Sequence, residues 1–185
     1  MNVLRLTSPI PLSVNHYLGT RAILKNGKPM AMVYETGEAK KYKQKFIKYI
    51  HNQIKEQNWT LPVTKTQHFY CDCIFYFDRL DKDCNNYFKL LLDSITESKS
   101  IWADDNVVCE RVNRIYYDSQ NPRIEITIYP TDYIGIFDNQ EQMELFENKC
   151  KTCKRYSRNC SILNKAKEGR IQEEIQDMIC SKYKE

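Results

Sequence analysis

Residues 67–77, QHFYCDCIFYF, are dense in aromatic and β-favouring side chains and run directly into an acidic, helix-bearing stretch from Asp81 to Val108. A β-rich run of that length reads as a strand, the clearest one in the chain. Asp81 and Asp83 precede a helix expected over Asn86–Glu97, Lys89 lies one turn into it, and Asp104 and Asp105 follow its far end. Phe88, Leu91, Leu92 and Ile95 form a stripe that must face a core. Lys89 and Asp93, four residues apart, become neighbours on another side of that helix. A helix start favours one capping Asp. Several carboxylates that repel one another are more than capping needs, and they point to a cation between them.

The other segments fall around this pair. Residues 3–7 predict a strand, stopped by Pro9 and Pro11. SVNHYLGTR follows as a polar, turn-like segment. Ala22–Leu24 and Met30–Tyr34 flank Asn26-Gly27, a hairpin signal. A helix is expected from Thr36 or Glu38 to about Gln57, with Tyr42, Phe46, Ile50 and Ile54 at four-residue spacing on its apolar side. Lys40, Lys41, Lys43, Lys45 and Lys48 line the other side, as a solvated face or a phosphate-facing one. Val107–Tyr117 and Arg123–Tyr129 predict two strands joined as a hairpin through Ser119–Pro122. The order predicts an α+β fold, a mixed β-sheet with helices packed on one face, plus a small helical Cys-rich extension at the C-terminal end. The expected division is residues 1–132 for the core and 133–185 for the extension. In the extension a short strand is expected over Ile134–Phe137, a helix over Glu141–Asn148 and a long polar helix over Asn164–Cys180.

Charge is unevenly distributed. Residues 1–65 hold eleven Lys or Arg against three acids, whereas residues 66–132 hold twelve acids against seven bases. A basic half beside an acidic centre fits a polyanionic substrate held over a metal site, although solvated lysines on one helix would give the same count. No apolar run approaches the ~18 residues that span a bilayer, and no signal or transit segment is expected. That predicts a soluble protein with no membrane partner. Cys71, Cys73, Cys84 and Cys109 sit mostly in strand-like runs and read as small buried hydrophobes in a reducing cytosol.

Divalent ions such as Mg²⁺ take oxygen ligands, and carboxylates can place them beside a scissile phosphate. Asp83, Asn85 and Asp105 converge if the strand end, helix start and post-helix turn adjoin. Lys89 then stands near enough to stabilise phosphate charge or orient a water.

Taken together, Pro11, Ser13, Asn15 and Tyr17, then Asp83, Asn86, Lys89 and Asp93, then Asp104-Asp105 before Val107-Val108 resemble the RusA-type Holliday junction resolvases over about residues 3–130. The resemblance implies a homodimeric, Mg²⁺-dependent endonuclease that nicks two strands of four-way junction DNA symmetrically, in a cytoplasmic setting of bacterial or phage type. It places the metal-binding acids on Asp83, position 85 and Asp105, and the catalytic lysine on Lys89. Position 85 departs from the pattern, because Asn85 stands where the family has Asp. Asn keeps an oxygen lone pair but brings no charge. The first reading is an inactivating change, natural or engineered, that keeps DNA binding, with a catalytically silent junction-binding protein as the alternative function. Two other readings stay open: Asp81 pairing with Asp83 through a register shift of two, or a working site of weaker metal affinity. Asn15, His16, Arg21, Arg79 and Lys82, with Lys25, are the candidate DNA contacts.

Cys150-x2-Cys153-x6-Cys160 lies beyond the resemblance. Paired thiolates at C-x2-C spacing reach one ion, so zinc is the first expectation and an iron–sulfur cluster the second, with Cys180 or a residue from elsewhere as fourth ligand. Incidental reduced thiols are the bland reading. Lys149, Lys151, Lys154, Arg155 and Arg158 surround this knuckle and would add DNA contacts.

Overall fold

In the computed structural model, which describes residues 2–156 and 158–185, the aromatic run forms β4 (Phe69–Phe77). Its side chains alternate strictly between buried and half-buried, so Phe69, Cys71, Cys73, Phe75 and Phe77 all enter the core. That period-two pattern fixes which face of the sheet must be covered. β4 lies inside a four-stranded mixed sheet of order β1-β6-β4-β5, with β1 at Leu4–Pro9, β5 at Val108–Tyr117 and β6 at Arg123–Pro130. It runs parallel to β5 and antiparallel to β6, and β6 is antiparallel to β1.

The helices α2 (Gly37–Glu56) and α3 (Asn85–Glu97) supply the cover. Phe46 and Ile50 of α2 and Phe88, Leu91, Leu92 and Ile95 of α3 join the inward residues of β1, β4 and β6, together with Trp59 and Trp102, in one buried cluster. The architecture is the expected α+β arrangement. Thr36 caps α2 by accepting the Ala39 N–H at 3.3 Å. Lys43 does not belong to an exposed lysine face. It is buried and pairs with Glu35 and Glu97, because the period of α2 turns position 43 inward beside the end of α3.

The expected hairpin exists and is longer than the sequence pattern indicates, with β2 at Leu18–Lys25 and β3 at Lys28–Glu35. Asn26 (φ 53°) and Gly27 (φ 74°) take the left-handed conformation that a two-residue turn of this hand needs. A one-turn helix, α1 (Val14–Tyr17), precedes it, and the Thr36 N–H donates to the Tyr17 carbonyl at 3.0 Å to close the hairpin base. The strands β5 and β6, by contrast, are not a hairpin. β4 separates them, and residues 118–122 cross its end, where the Asp118 N–H donates to the Phe77 carbonyl at 2.7 Å. β4 brings buried residues to both neighbours, and that packing outweighs local pairing.

A second buried cluster, Phe137, Met143, Phe146, Leu163 and Ala166, lies in the C-terminal segment. It is built by α4 (Gln140–Lys151) and α5 (Ile162–Lys167). Ile134 and Phe137 form a single bridge around Gly135 (φ 59°), a tight turn in place of the expected strand. A side chain at Gly135 would meet the Ala166 carbonyl oxygen at 2.0 Å, so only glycine allows this turn to close on α5. The long helix expected over Asn164–Cys180 is not formed. It stops at Lys167, two residues before Gly169 (φ 81°), a glycine at the helix end. A small hairpin follows, β7 (Ile175–Gln176) and β8 (Ile179–Cys180), turning through Asp177 and Met178 at positive φ. No helix of the described residues is long and apolar enough to cross a membrane.

Candidate nuclease site and nucleic-acid groove

The acidic loop leaves the end of β4 and returns at the start of α3. Asp83 Oδ1 accepts the Asn85 N–H at 3.0 Å, satisfying one of the free donors at the helix start. One carboxylate oxygen of Asp83 is thus occupied by folding, and the other is free of that bond. Asn85 itself is exposed on the first residue of α3.

One turn further on, Lys89 Nζ donates to Asp93 Oδ1 at 2.7 Å and lies 3.9 Å from Asp105 Oδ2. Asp105 opens a 3₁₀ turn (Asp105–Val107) whose start is capped by Asp104, which accepts the Asn106 N–H at 3.0 Å. The hydrogen bond to Asp93, with burial opposing it and the charges of Asp93 and Asp105 adding to it, raises the Lys89 pKa above its ordinary value. Lys89 therefore stays an ammonium at any physiological pH and acts as a fixed positive charge. Buried Tyr17 shares this environment: burial, then the charge of Asp93, raise its phenol pKa. Asp93 meets Lys89 through the four-residue spacing within α3, whereas Tyr17 joins them only through the packing of α1 on α3.

Beside this cluster runs a groove of about 440 Å³ lined by Ile10–Ser13, His16, Asp78, Arg79, Asp81, Lys82, Asp83, Asn86, Tyr87 and Pro122. It collects the end of β1, α1, the acidic loop and the start of α3. His16 Nδ1 shares a hydrogen bond with Ser13 Oγ at 2.8 Å. Arg79 pairs with Asp81 at 2.7 Å and Lys82 with Asp78 at 3.6 Å. Asn15 is exposed on α1. Arg21 stands apart on β2, its guanidinium 5.6 Å from the Tyr34 ring centre. The groove thus gathers His16, Arg79 and Lys82 with Asp83, and does not include Arg21.

Among the described residues no three His, Cys, Asp or Glu side chains already stand together at metal-binding spacing. The donor chemistry nonetheless fits a hard divalent ion: Asp83 and Asp105 offer carboxylates and Asn85 an amide oxygen, one negative charge short of three acids.

All eight cysteines are free thiols. Cys71, Cys73 and Cys84 are buried as expected. The tail cysteines Cys150, Cys153, Cys160 and Cys180 line one cavity together with Glu147, Lys182 and Tyr183. Burial, then the neighbouring Cys180, Cys160 and Cys153, push the Cys150 thiol up to about 11.

Residues 9–129 match the protein family described as endodeoxyribonuclease RusA. The match covers all three motif stretches, α3 and the strands that follow, and the chain belongs to this family of Holliday junction resolvases, which are divalent-metal-dependent nucleases. No curated protein matches the chain.

Proposed function

We propose that this protein is a Mg²⁺-dependent, structure-specific endonuclease that resolves four-way DNA junctions by paired symmetric nicks, with its cleavage rate held down by Asn85. The observation that carries the reading is the fixed Lys89 ammonium between Asp93 and Asp105, on the helix that follows directly after Asp83 in the groove wall.

Asp83, Asn85 and Asp105 would hold the ion. When bound, a divalent cation neutralises charge on the scissile phosphate and generates a nucleophile from water. The chain's own residues do the rest. Lys89 adds positive charge where the phosphate becomes more negative, and its pairing with Asp93 keeps it in place. His16, Arg79 and Lys82 line the groove and would contact backbone phosphates, with Asn15 beside them. Arg21 and Lys25 would reach a more distant part of the junction from the hairpin. In-line attack leaving 5′ phosphates gives nicks that a ligase can seal. A two-fold homodimer would place two sites on opposed strands, matching the symmetry of the junction. Eight free thiols suit a reducing, cytoplasmic setting. The two separate buried clusters support a division near residue 132 between nuclease core and extension.

A second reading, a catalytically silent junction-binding protein, is favoured by Asn85 alone. A synthetic four-way junction with Mg²⁺ separates the two. Asn85→Asp is expected to raise the cleavage rate by about 10²-fold or more, since it restores a full charge to the ion's donor set, while affinity changes little. Equal rates for the parent and Asn85→Asp would remove the role given to this position. No cleavage by either would favour the silent binder.

A further inference from the structure

The four cysteines of the extension come from four different local structures. Cys150 is in the last turn of α4, and Cys153 follows in a turn whose N–H donates back to the Cys150 carbonyl at 3.0 Å. Cys160 lies just before α5, and Cys180 ends β8. The sequence between Cys150 and Cys180 does not explain why these four points should meet, yet all four cysteines line a single cavity of about 140 Å³.

We propose that Cys150, Cys153, Cys160 and Cys180 are the ligands of one tetrahedral zinc ion that organises the C-terminal extension. The proposal is independent of the nuclease reading. The thiols share a cavity wall without yet standing at ligand spacing. Bringing four Sγ atoms to the ~2.3 Å of a zinc–sulfur bond takes side-chain rotations at a helix end, two turns and a strand end.

Three features of the cavity point to a bound ion. Cys153 Sγ accepts the Lys184 backbone N–H at 3.4 Å, which ties the C-terminal end of the extension to the knuckle at this sulfur. An amide N–H donated to a sulfur favours its thiolate, the form that binds a metal. Lys182 lines the cavity, and Lys149, Lys151, Lys154 and Arg155 lie next to the knuckle in sequence. Those cations offset the two negative charges that four thiolates leave on a divalent ion. Glu147, the acid in the wall, is committed to Lys167 at 2.8 Å and so leaves the sulfurs as the available ligands.

The extension also lacks enough apolar mass to order itself. Its buried cluster has five residues and its hairpin two-residue strands. That hairpin turns through two consecutive non-glycine residues at positive φ, Asp177 and Met178. Such a turn persists only where its surroundings over-determine it. Small units of this kind are usually stapled by disulfides or a metal. The thiols here are free, and a metal anchored at Cys180 would hold the hairpin from its far end.

The test uses the full chain, expressed with added zinc and purified under reduction without a metal-binding tag. Elemental analysis is expected to give about one zinc per chain, and Cys150→Ser and Cys180→Ser each to lower it below about a tenth. Cys109→Ser, outside the cavity, keeps the metal and controls for cysteine loss in general. Co²⁺ added to the zinc-free chain should develop the strong visible bands of a tetrahedral thiolate site, weakened in Cys180→Ser. That readout works even if a variant binds zinc too weakly to survive purification. Less than a tenth of an equivalent of zinc with no cobalt bands would overturn the proposal. So would iron with acid-labile sulfide in place of zinc, and so would zinc retained in both serine variants.

Discussion

Lys89, one turn into α3, holds its ammonium 3.9 Å from Asp105 Oδ2, on the turn that follows the helix. This contact ties two separate stretches of the acidic cluster together, and Asp93 pins the same nitrogen at 2.7 Å. A lysine with a raised pKa is a poor proton acceptor, so its contribution must be electrostatic.

Lys89→Ala, made in the Asn85→Asp background, should therefore lower the single-turnover cleavage rate by about 10²-fold, the scale of one lost transition-state contact. Junction affinity should change by no more than about threefold, because general binding comes from many phosphate contacts. Gel-shift titration beside single-turnover kinetics checks this. An affinity loss as large as the rate loss would make Lys89 one more phosphate contact.

The buried position of Lys43 predicts stability, not binding. Its pairing with Glu35 and Glu97 ties the hairpin base to the end of the site helix. Burial alone would pull its pKa down, but the hydrogen bonds of both glutamates outweigh it and the pKa is raised. Lys43→Met should cost about 1–3 kcal/mol. That is below the value for breaking a fully buried pair, since both glutamates reach water. Urea unfolding at constant m-value measures the cost. The salt dependence of junction binding should not move, whereas a shallower slope would restore Lys43 to the phosphate-facing surface.

Much of the fold was legible because period and composition act locally. The alternation of β4, the stripes of α2 and α3, and Asn26-Gly27 each specify their element without help from distant residues. The failures share a different cause. Nothing in residues 107–129 says that β4 will insert between β5 and β6, since that choice depends on which strands have two buried neighbours. Lys43 looked solvated because a lysine's charge hides the inward phase of its position until Glu35 and Glu97 are placed around it. The polar segment after Asn164 carries a helix-like spacing of isoleucines, and Gly169 at positive φ, then the turn at Asp177 and Met178, override it. At the candidate site the pairing of Lys89 with Asp93 was readable by spacing, whereas the proximity of Tyr17 to Lys89 needed the packing of α1 on α3.

On the sheet face that the helices leave uncovered, Asp72 accepts from Arg111 Nε at 2.6 Å and from the Tyr129 hydroxyl at 3.0 Å. Burial would raise its pKa, but these hydrogen bonds, with that of Asn113, hold it below the usual carboxylate range. A depressed folded pKa means stability that is present above the unfolded value and lost as pH falls through the folded one. Asp72→Asn should therefore cost about 1 kcal/mol at neutral pH, scaled down because Arg111 is partly exposed. The deficit relative to the parent should begin to shrink as pH falls below the unfolded value near ~4 and vanish only below the depressed folded value, where the parent's Asp72 is also protonated. Denaturant melts of both proteins from pH 7 to acid check the sign. A deficit independent of pH would mean that Asp72 acts by shape alone.

The last prediction separates the two registers open to the acidic loop. Asp81 can be a metal ligand beside Asp83, or it can be the local counter-charge of Arg79. The structure pairs Asp81 with Arg79 at 2.7 Å, and both side chains line the groove where phosphates would lie. In that arrangement DNA must draw Arg79 away from Asp81 before it gains a phosphate contact. Removing the competing carboxylate lowers that barrier. Asp81→Asn should therefore tighten junction binding by about two- to fivefold at low salt, as expected for removing one repelling charge from a phosphate surface. Arg79→Ala should weaken binding and reduce the slope of log K against log salt by about 1. Cleavage in the Asn85→Asp background should survive Asp81→Asn almost unchanged. A register in which Asp81 binds the ion predicts the reverse: a large rate loss on Asp81→Asn, relieved by raised Mg²⁺, with affinity unaltered in its absence. Titrating both variants across Mg²⁺ and salt therefore assigns Asp81 to the groove's phosphate surface or to the ion.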